Sequence, residues 1–270
     1  MKKILVTGVN SYIGRAFSRY MEQFSEEYGV DRISLRSGAW RATVFSRYDA
    51  VLHTVGVVHV KETKKNRPLY YQINRDLAVE TARKAKAEGV RQFLFLSSMS
   101  VYGMDEGLIT PETVPQPRSS YGKSKLEAEQ LLWKMRTESF HVTILRPPMV
   151  YGEGCMGNYR KLVKLAAFLP VCPDYENRRS AVSIERLCAY MKETIDCGAD
   201  GIFCPQDPEY FCTCRMLRQI AEERGRHLPL TKTLNVGPAL LRRFTASGRK
   251  AFGNLVYCDE GQCRHAGVQR

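Results

Sequence analysis

A doubly wound α/β fold, a parallel sheet with helices on both faces, is what this sequence predicts, on three observations. Short β-branched runs alternate with longer amphipathic stretches through the first half of the chain, the pattern of strand–helix–strand units that close as a parallel sheet. The first run, Lys3-Ile4-Leu5-Val6-Thr7, passes directly into Gly8-Val9-Asn10-Ser11-Tyr12-Ile13-Gly14 and then a helical stretch, which is the setting of a phosphate-binding turn. Tyr121-Gly122-Lys123-Ser124-Lys125 lies downstream of Ser97-Ser98, and that serine pair closes another apolar run.

Strands are predicted at 3–7, 32–35, 50–54, 92–96 and 141–145, with helices at 12–27, 69–87 and 121–135 between them. Segment 38–47 is too short for a further helix and strand, so one crossover is abbreviated and Thr43-Val44-Phe45 is its expected remnant strand. A charged loop at 61–67 then falls beside the carboxyl edge of the sheet, where ligands bind in such folds. After Arg146-Pro147-Pro148 the alternation loosens, and Gly152, Gly154 and Gly157 mark a loop leading to a helix at 158–168. Helices at 184–195, 213–223 and 239–252 and a late strand at 201–204 complete the reading. The organisation expected is a dinucleotide-binding Rossmann core over 1–150 and a small, mainly substrate-binding region over 151–270, some elements of which pack back on the core.

Composition narrows the function classes. A chain of 270 residues, 44% hydrophobic, buries one full core but hardly two large ones. The nine cysteines are odd in number and all lie between Cys155 and Cys263, which argues for reduced thiols over a disulfide scaffold. Cys212-Thr213-Cys214 and Cys258-x4-Cys263-Arg264-His265 approach metal-ligand spacing without completing a paired pattern, so no metal site is expected. The apolar stretch behind Met1-Lys2-Lys3 stops at Thr7-Gly8, too short for a signal peptide, and no later charge-free run reaches spanning length. A cytoplasmic protein without membrane insertion is expected. The formal charge of +13 favours anionic partners. Residues 215–270 carry 11 Lys/Arg against four Asp/Glu but no nucleic-acid motif, and read as a solvated basic face.

The chemistry lies in two segments. Gly8 permits the tight turn, Gly14 permits close helix-to-strand packing, and the helix N-terminus offers free N–H groups and a positive dipole end to a pyrophosphate. Ser11 replaces the usual middle glycine, so it either tolerates the phosphate or contributes its hydroxyl. Tyr121 and Lys125 stand at i and i+4 on one helical face. Tyrosine is a poor base at its free pKa of about 10, but an ammonium and an oxidised nicotinamide nearby favour the phenolate. A lowering of about three units needs roughly 4 kcal/mol. Ser98, at the end of its strand, is placed to donate to a substrate oxygen. Gly122-Lys123-Ser124 is not a nucleotide-triphosphate loop, since Pro117 stands where that motif requires glycine.

In order, Thr7-Gly8 to Ile13-Gly14, Asp49-Ala50-Val51-Leu52-His53-Thr54-Val55-Gly56, Asn74 in Tyr71-Gln72-Ile73-Asn74-Arg75-Asp76, Phe95-Leu96-Ser97-Ser98 through Val101-Tyr102-Gly103, Tyr121 to Lys125, and Leu145-Arg146-Pro147-Pro148 through Val150-Tyr151-Gly152 make the chain resemble the extended short-chain dehydrogenase/reductases, specifically the nucleotide-sugar epimerase/dehydratase group. The resemblance implies a catalytic set of Ser98, Tyr121 and Lys125, with Lys125 also holding the nicotinamide ribose. It implies a cofactor, NAD or NADP, bound along Gly8, Asn10, Ser11, Tyr12, Ile13, Gly14, Arg36, Thr54, Val55, Gly56, Asn74, Ser97, Tyr121, Lys125 and Pro148. Asn74 is expected to be a buried residue that orders its helix. Gly157-Asn158-Tyr159-Arg160 and Asn177-Arg178-Arg179-Ser180 are similar to the segments that hold a nucleoside diphosphate, which makes Asn158 and Arg179 substrate-binding candidates alongside Ser98.

Two departures matter. Relatives selective for NAD carry an acidic residue at the end of the second strand, whereas Leu35 is followed by Arg36, which suits a 2′-phosphate and makes NADP competitive. The C-terminal portion is also shorter than in many relatives. The implied function is a nucleotide-sugar oxidoreductase, first a UDP-hexose or UDP-N-acetylhexosamine 4-epimerase, alternatively an NADPH-dependent 4-ketoreductase. The implied partner is a UDP-linked sugar; nucleic acid is not expected, and a homodimer is compatible with the group. From another class, a non-catalytic dinucleotide sensor or scaffold remains open, and the intact Ser98, Tyr121 and Lys125 count against it.

Overall fold

In the computed structural model, which describes residues 1–58 and 60–258, six parallel strands form the central sheet. Their spatial order is Tyr28–Ile33, Lys2–Thr7, Ala50–His53, Gln92–Leu96, His141–Leu145, Gly201–Phe203. The chain steps one way from the first strand to the second and the other way from the first to the third. That reversal opens a crevice at the carboxyl ends of Lys2–Thr7 and Ala50–His53, where such folds bind ligands. Register keeps these ends level, with Thr7 opposite His53 and His53 opposite Phe95.

The central strands are buried on both faces, as parallel strands under helices must be. Leu5, Val51, Phe93 and Phe95 share one core with the helices Leu77–Ala87 and Ser120–Trp133. Ile4, Val6, Leu52 and Leu94 share another with Tyr12–Met21 and Ile184–Asp196. So the helix at 184–196 and the strand at 201–203, late in sequence, both return to the sheet. Asn158–Phe168 and Thr213–Glu222 instead form a separate cluster around Cys172 and Leu228.

Several elements differ from the sequence expectation. The second strand starts four residues early and ends two early, because Tyr28 to Ile33 pair in full with Lys2 to Thr7. The helix before it accordingly stops at Met21, and a 3₁₀ turn, Glu22–Phe24, brings Phe24 edge-on to Tyr28. Thr43-Val44-Phe45 is not a strand. A 3₁₀ turn, Gly38–Ala42, runs into an irregular segment that buries Phe45 beside Trp40, and the Phe45 N–H donates to Glu88 Oε2 at 2.5 Å. The apolar signal there was real, but it anchors a loop. The helix expected at 69–87 consists of Arg67–Tyr70, a π-helical turn Tyr71–Asp76, and Leu77–Ala87. The helix expected at 239–252 breaks at Thr245, whose backbone is extended and whose Oγ1 accepts from Gly248 N at 2.8 Å, so Val236–Phe244 and Ala246–Phe252 are two helices.

Three small parallel pairs join the later region: Met149–Tyr151 with Ala181–Ser183, Cys172–Pro173 with Leu230–Thr231, and Gly107–Ile109 with Leu255–Tyr257. None of the described cysteines is in a disulfide. Cys263, Arg264 and His265 lie outside the described residues. No helix among the described residues is long and apolar enough to cross a membrane.

Candidate active site

The turn after the first strand is built by close contacts that only small residues allow. Gly8 has φ +97°, and a side chain at Gly14 would stand 2.7 Å from Thr54 Oγ1 and 3.1 Å from Val6 Cγ1. Thr54 itself donates to the Thr7 carbonyl at 2.6 Å, which fixes the turn against the neighbouring strand end. Ser11 is the N-cap of Tyr12–Met21, its Oγ accepting from Gly14 N at 3.2 Å. Of the two roles open to Ser11, the helix therefore takes the acceptor side of its hydroxyl. Asn10 is exposed on the turn, while Ile13 packs inward. Tyr12 donates to the Glu153 carbonyl at 2.8 Å, tying this helix to the loop before Asn158–Phe168. A positive-φ glycine and a helix N-terminus at the crevice fit a dinucleotide pyrophosphate.

Tyr121, Lys125 and Ser98 meet at the carboxyl end of Gln92–Leu96. The helix Ser120–Trp133 can approach because Gly122 has no side chain: a Cβ there would stand 2.7 Å from the Ser100 carbonyl. Ser119 caps that helix through Gly122 N at 3.1 Å, and Glu62 accepts from Ser120 N at 3.0 Å and Ser120 Oγ at 2.9 Å. Ser98 starts the neighbouring 3₁₀ turn by accepting from Ser100 N at 3.1 Å. Burial raises the Tyr121 phenol pKa, and the hydrogen bond with Ser98 acts in the opposite direction. Lys125 is buried, donates to the Leu96 carbonyl at 2.8 Å and lies 4.5 Å from the centre of the Phe95 ring. Desolvation lowers its pKa to about 7, against a smaller raising effect of Glu129. In the protein alone Lys125 turns to the strand end, and its desolvation works against the charge that would acidify Tyr121.

Beneath these residues lies a network that the sequence did not disclose. Glu129, fully buried, receives Arg146 Nη2 at 2.6 Å and a short hydrogen bond from Ser97, while Arg146 Nη1 reaches Tyr102 OH at 2.8 Å. Tyr257 OH donates to the Arg146 carbonyl at 2.7 Å. Glu129 stands one turn after Lys125 on the same helix, a spacing that could have flagged it as the anion two buried cations require. Glu62, by contrast, is separated from Ser120 by 58 positions and carries no local signal. His53 was named only within a motif; it is fully buried, bonded through Nδ1 to Thr7 Oγ1 at 3.1 Å, and burial lowers its pKa to about 3.

Other candidates fall into distinct places. Asn74 is fully buried in the π-helical turn; its Oδ1 accepts from Val57 N at 2.7 Å and its Nδ2 donates to Ser124 Oγ at 3.1 Å. It thereby orders the Thr54-Val55-Gly56 loop, where a side chain at Gly56 would stand 3.4 Å from Lys125 Nζ. Ser97 gives its hydroxyl to buried Glu129 and its N–H to the Leu145 carbonyl at 2.7 Å, so a cofactor contact there would fall to the other atoms of the residue. Pro148 is buried beyond the His141–Leu145 strand. Arg36 is exposed and borders a hollow of about 300 Å³ with Ser37, Trp40, Arg41 and Gln72, Arg41 itself being held by Glu80 at 2.5 Å. Asn158 is exposed at the first position of its helix. Arg179 Nη1 donates to the Gly253 carbonyl at 2.9 Å and the Asp105 carbonyl at 3.4 Å, which orients it toward residues 105 and 253.

Residues 4–169 match the NAD dependent epimerase/dehydratase family. The chain belongs to this family. Its members are NAD(P)-binding epimerases and reductases of nucleotide sugars. Among curated relatives, a UDP-glucose 4-epimerase from Vibrio cholerae is 30% identical over 248 residues, covering 82% of this chain and 75% of the relative. A GDP-6-deoxy-D-mannose reductase from Pseudomonas aeruginosa is 28% identical over 164 residues, 57% of this chain and 54% of that protein. Among solved structures, a dTDP-4-dehydrorhamnose reductase from Bacillus anthracis in complex with NADP superposes with a TM-score of 0.69 at 18% identity, covering 93% of this chain and 99% of that one. A UDP-glucuronic acid 4-epimerase from Bacillus cereus in complex with NAD gives 0.69 at 18% identity, with 92% and 96% covered. The structural likeness carries the family's α/β fold across nearly the whole chain.

Proposed function

We propose that the protein is a nucleotide-sugar 4-epimerase acting on a UDP-hexose or UDP-N-acetylhexosamine. The observation that carries this reading is the meeting of Ser98, Tyr121 and Lys125 at one strand end, beside a turn that fits a dinucleotide; the UDP-sugar follows from the likeness to the Vibrio cholerae epimerase. Tyr121 takes the proton of the C4 hydroxyl, and Ser98 hydrogen-bonds the same oxygen. A bound nicotinamide supplies the hydride acceptor and donor at this site. Lys125, next to Gly56 and Leu96, would hold the ribose, and the positive charge that favours the Tyr121 phenolate would come with an oxidised nicotinamide beside it. Once the ketone has turned over, Tyr121 returns the proton to the same oxygen while hydride re-enters C4 from the other face. Proton and hydride are both restored, so no cofactor is consumed.

One observation favours a second reading, a 4-ketoreductase. Arg36 borders the hollow at the end of the second strand and would welcome a 2′-phosphate. The two readings separate on stoichiometry. An epimerase converts UDP-glucose or UDP-N-acetylglucosamine to its C4 epimer with cofactor far below substrate, whereas a reductase oxidises one NADPH per 4-keto sugar. Conversion that stops after one equivalent of cofactor would overturn the first reading.

A further inference from the structure

The helix Val236–Phe244 is turned inside out. Its cationic side chain Arg242 faces the protein, donating to Glu106 Oε1 at 2.7 Å and Tyr175 OH at 3.4 Å, and Pro238 is buried on the same side. Positions 236, 240 and 244 recur every fourth residue and so form one stripe on the opposite side. In the structure that stripe is bare: Val236 is 66% exposed, Leu240 51% and Phe244 70%. Leu234 and Leu241, just beyond it, are exposed as well. An ordinary surface helix shows the reverse, apolar side in and charged side out.

Charge indicates what meets this face. The Arg243 guanidinium lies 5.5 Å from the Phe244 ring centre, and Lys232, just before the helix, is exposed, whereas Lys250 beyond it is paired with Asp105 at 3.8 Å. The whole chain carries +13. We propose that this helix docks the protein on an anionic membrane surface, lying in the headgroup plane with Val236, Leu240 and Phe244 toward the acyl chains and Arg243 extended to lipid phosphates. A second copy is the poorer occupant, because a two-fold contact would set Arg243 near its twin and +13 against +13. Residues 259–270 are also a poor cover, since they contain no aromatic residue and Val268 is their one large aliphatic side chain. The proposal does not depend on the catalytic reading, and it requires no spanning segment.

The test is co-sedimentation of the full chain with vesicles of phosphatidylcholine alone and of phosphatidylcholine mixed with phosphatidylglycerol. Binding is expected to the anionic vesicles only and to weaken as salt is raised. The double variant Leu240→Ser/Phe244→Ser should bind roughly tenfold more weakly or worse. Arg243→Glu should bind about fivefold more weakly, and it keeps the test decisive should the double variant unfold. Absence of wild-type binding, or binding by Leu240→Ser/Phe244→Ser and Arg243→Glu as tight as that of wild type, overturns the proposal. So does a wild-type dimer that dissociates on Leu240→Ser/Phe244→Ser without vesicle binding, which assigns the face to a second copy. Binding seen only after deletion of residues 259–270 overturns it too, assigning the face to the chain's own end.

Discussion

Burial works against Tyr121 in the protein alone: it raises the phenol pKa, and Ser98 only partly opposes it. Proton transfer therefore depends on charge brought in beside Lys125. Tyr121→Phe is expected to keep fold and cofactor binding and to lower turnover by about 10²-fold or more; steady-state kinetics with a cofactor titration checks both halves. For Lys125 the sign can be worked out. Its folded pKa, about 7, lies below the ordinary 10.5, so between these values the unfolded chain holds a proton that the folded one lacks. The group's contribution to the stability of the ligand-free protein rises with pH across that window, by up to ~1.4 kcal/mol per pH unit. Lys125→Met should remove that slope: the variant is the more stable protein at pH 7 and loses its advantage toward pH 10. Denaturant unfolding of both proteins at two pH values measures this, and a pH-independent difference would contradict a lowered Lys125 pKa. Arg36 bears on cofactor choice. A charge-assisted bond to a 2′-phosphate is worth roughly 1.5–3 kcal/mol, about a ten- to hundred-fold preference. Titration should show NADP favoured by wild type and NAD by Arg36→Asp; unchanged relative affinities would return Arg36 to the surface. Tyr121, Lys125, Gly8 and Gly14 stand out in the sequence because their placement travels with local patterns, Tyr-x-x-x-Lys on one helix and Gly-x5-Gly at a strand end. Ser97 adjoins Ser98 in sequence, yet neighbouring residues at a strand end point to opposite sides, and its hydroxyl turns to Glu129.

At the scale of elements, the site is held by two devices that cross between segments. The π-helical turn Tyr71–Asp76 brings Asn74 to the 54–57 loop and to Ser124 at once, joining the cofactor loop to the Tyr121 helix. Periodicity over 69–87 does not single out such a turn, which is a rare one-turn insertion within a helix. The second device is the buried pair of Glu129 and Arg146. Glu129→Gln leaves Arg146 buried without its anion, at a cost of roughly 3–5 kcal/mol. That should lower the melting temperature by about 10 °C in a chain of this size. It also removes the one effect that raises the Lys125 pKa. Calorimetry of Glu129→Gln beside Glu129→Leu/Arg146→Met checks the cause, because the double variant should recover much of the loss. Equal destabilisation in the two would show that packing, and not the uncompensated charge, is responsible. Element positions were legible where apolar strands are flanked by turns. They slipped where pairing with a distant strand decides, as at Tyr28–Ile33, or where a single anchor such as Phe45 imitates a strand.

For the molecule as a whole, the alternation of strands and helices was enough to predict the parallel sheet, since few topologies satisfy right-handed crossovers and two covered faces. The later region was less legible, because pairs of two or three residues such as Cys172–Pro173 with Leu230–Thr231 have no period to read. What the whole molecule does is tested most directly at the sugar carbon. UDP-glucose and UDP-N-acetylglucosamine are incubated with the protein and substoichiometric NAD or NADP in D₂O, and C4 is followed by proton NMR. Removal and return of hydride predicts the C4 epimer with its C4 hydrogen retained, accumulating over many turnovers per cofactor. Deuterium at C4, or no epimer from either sugar with either cofactor, would contradict it.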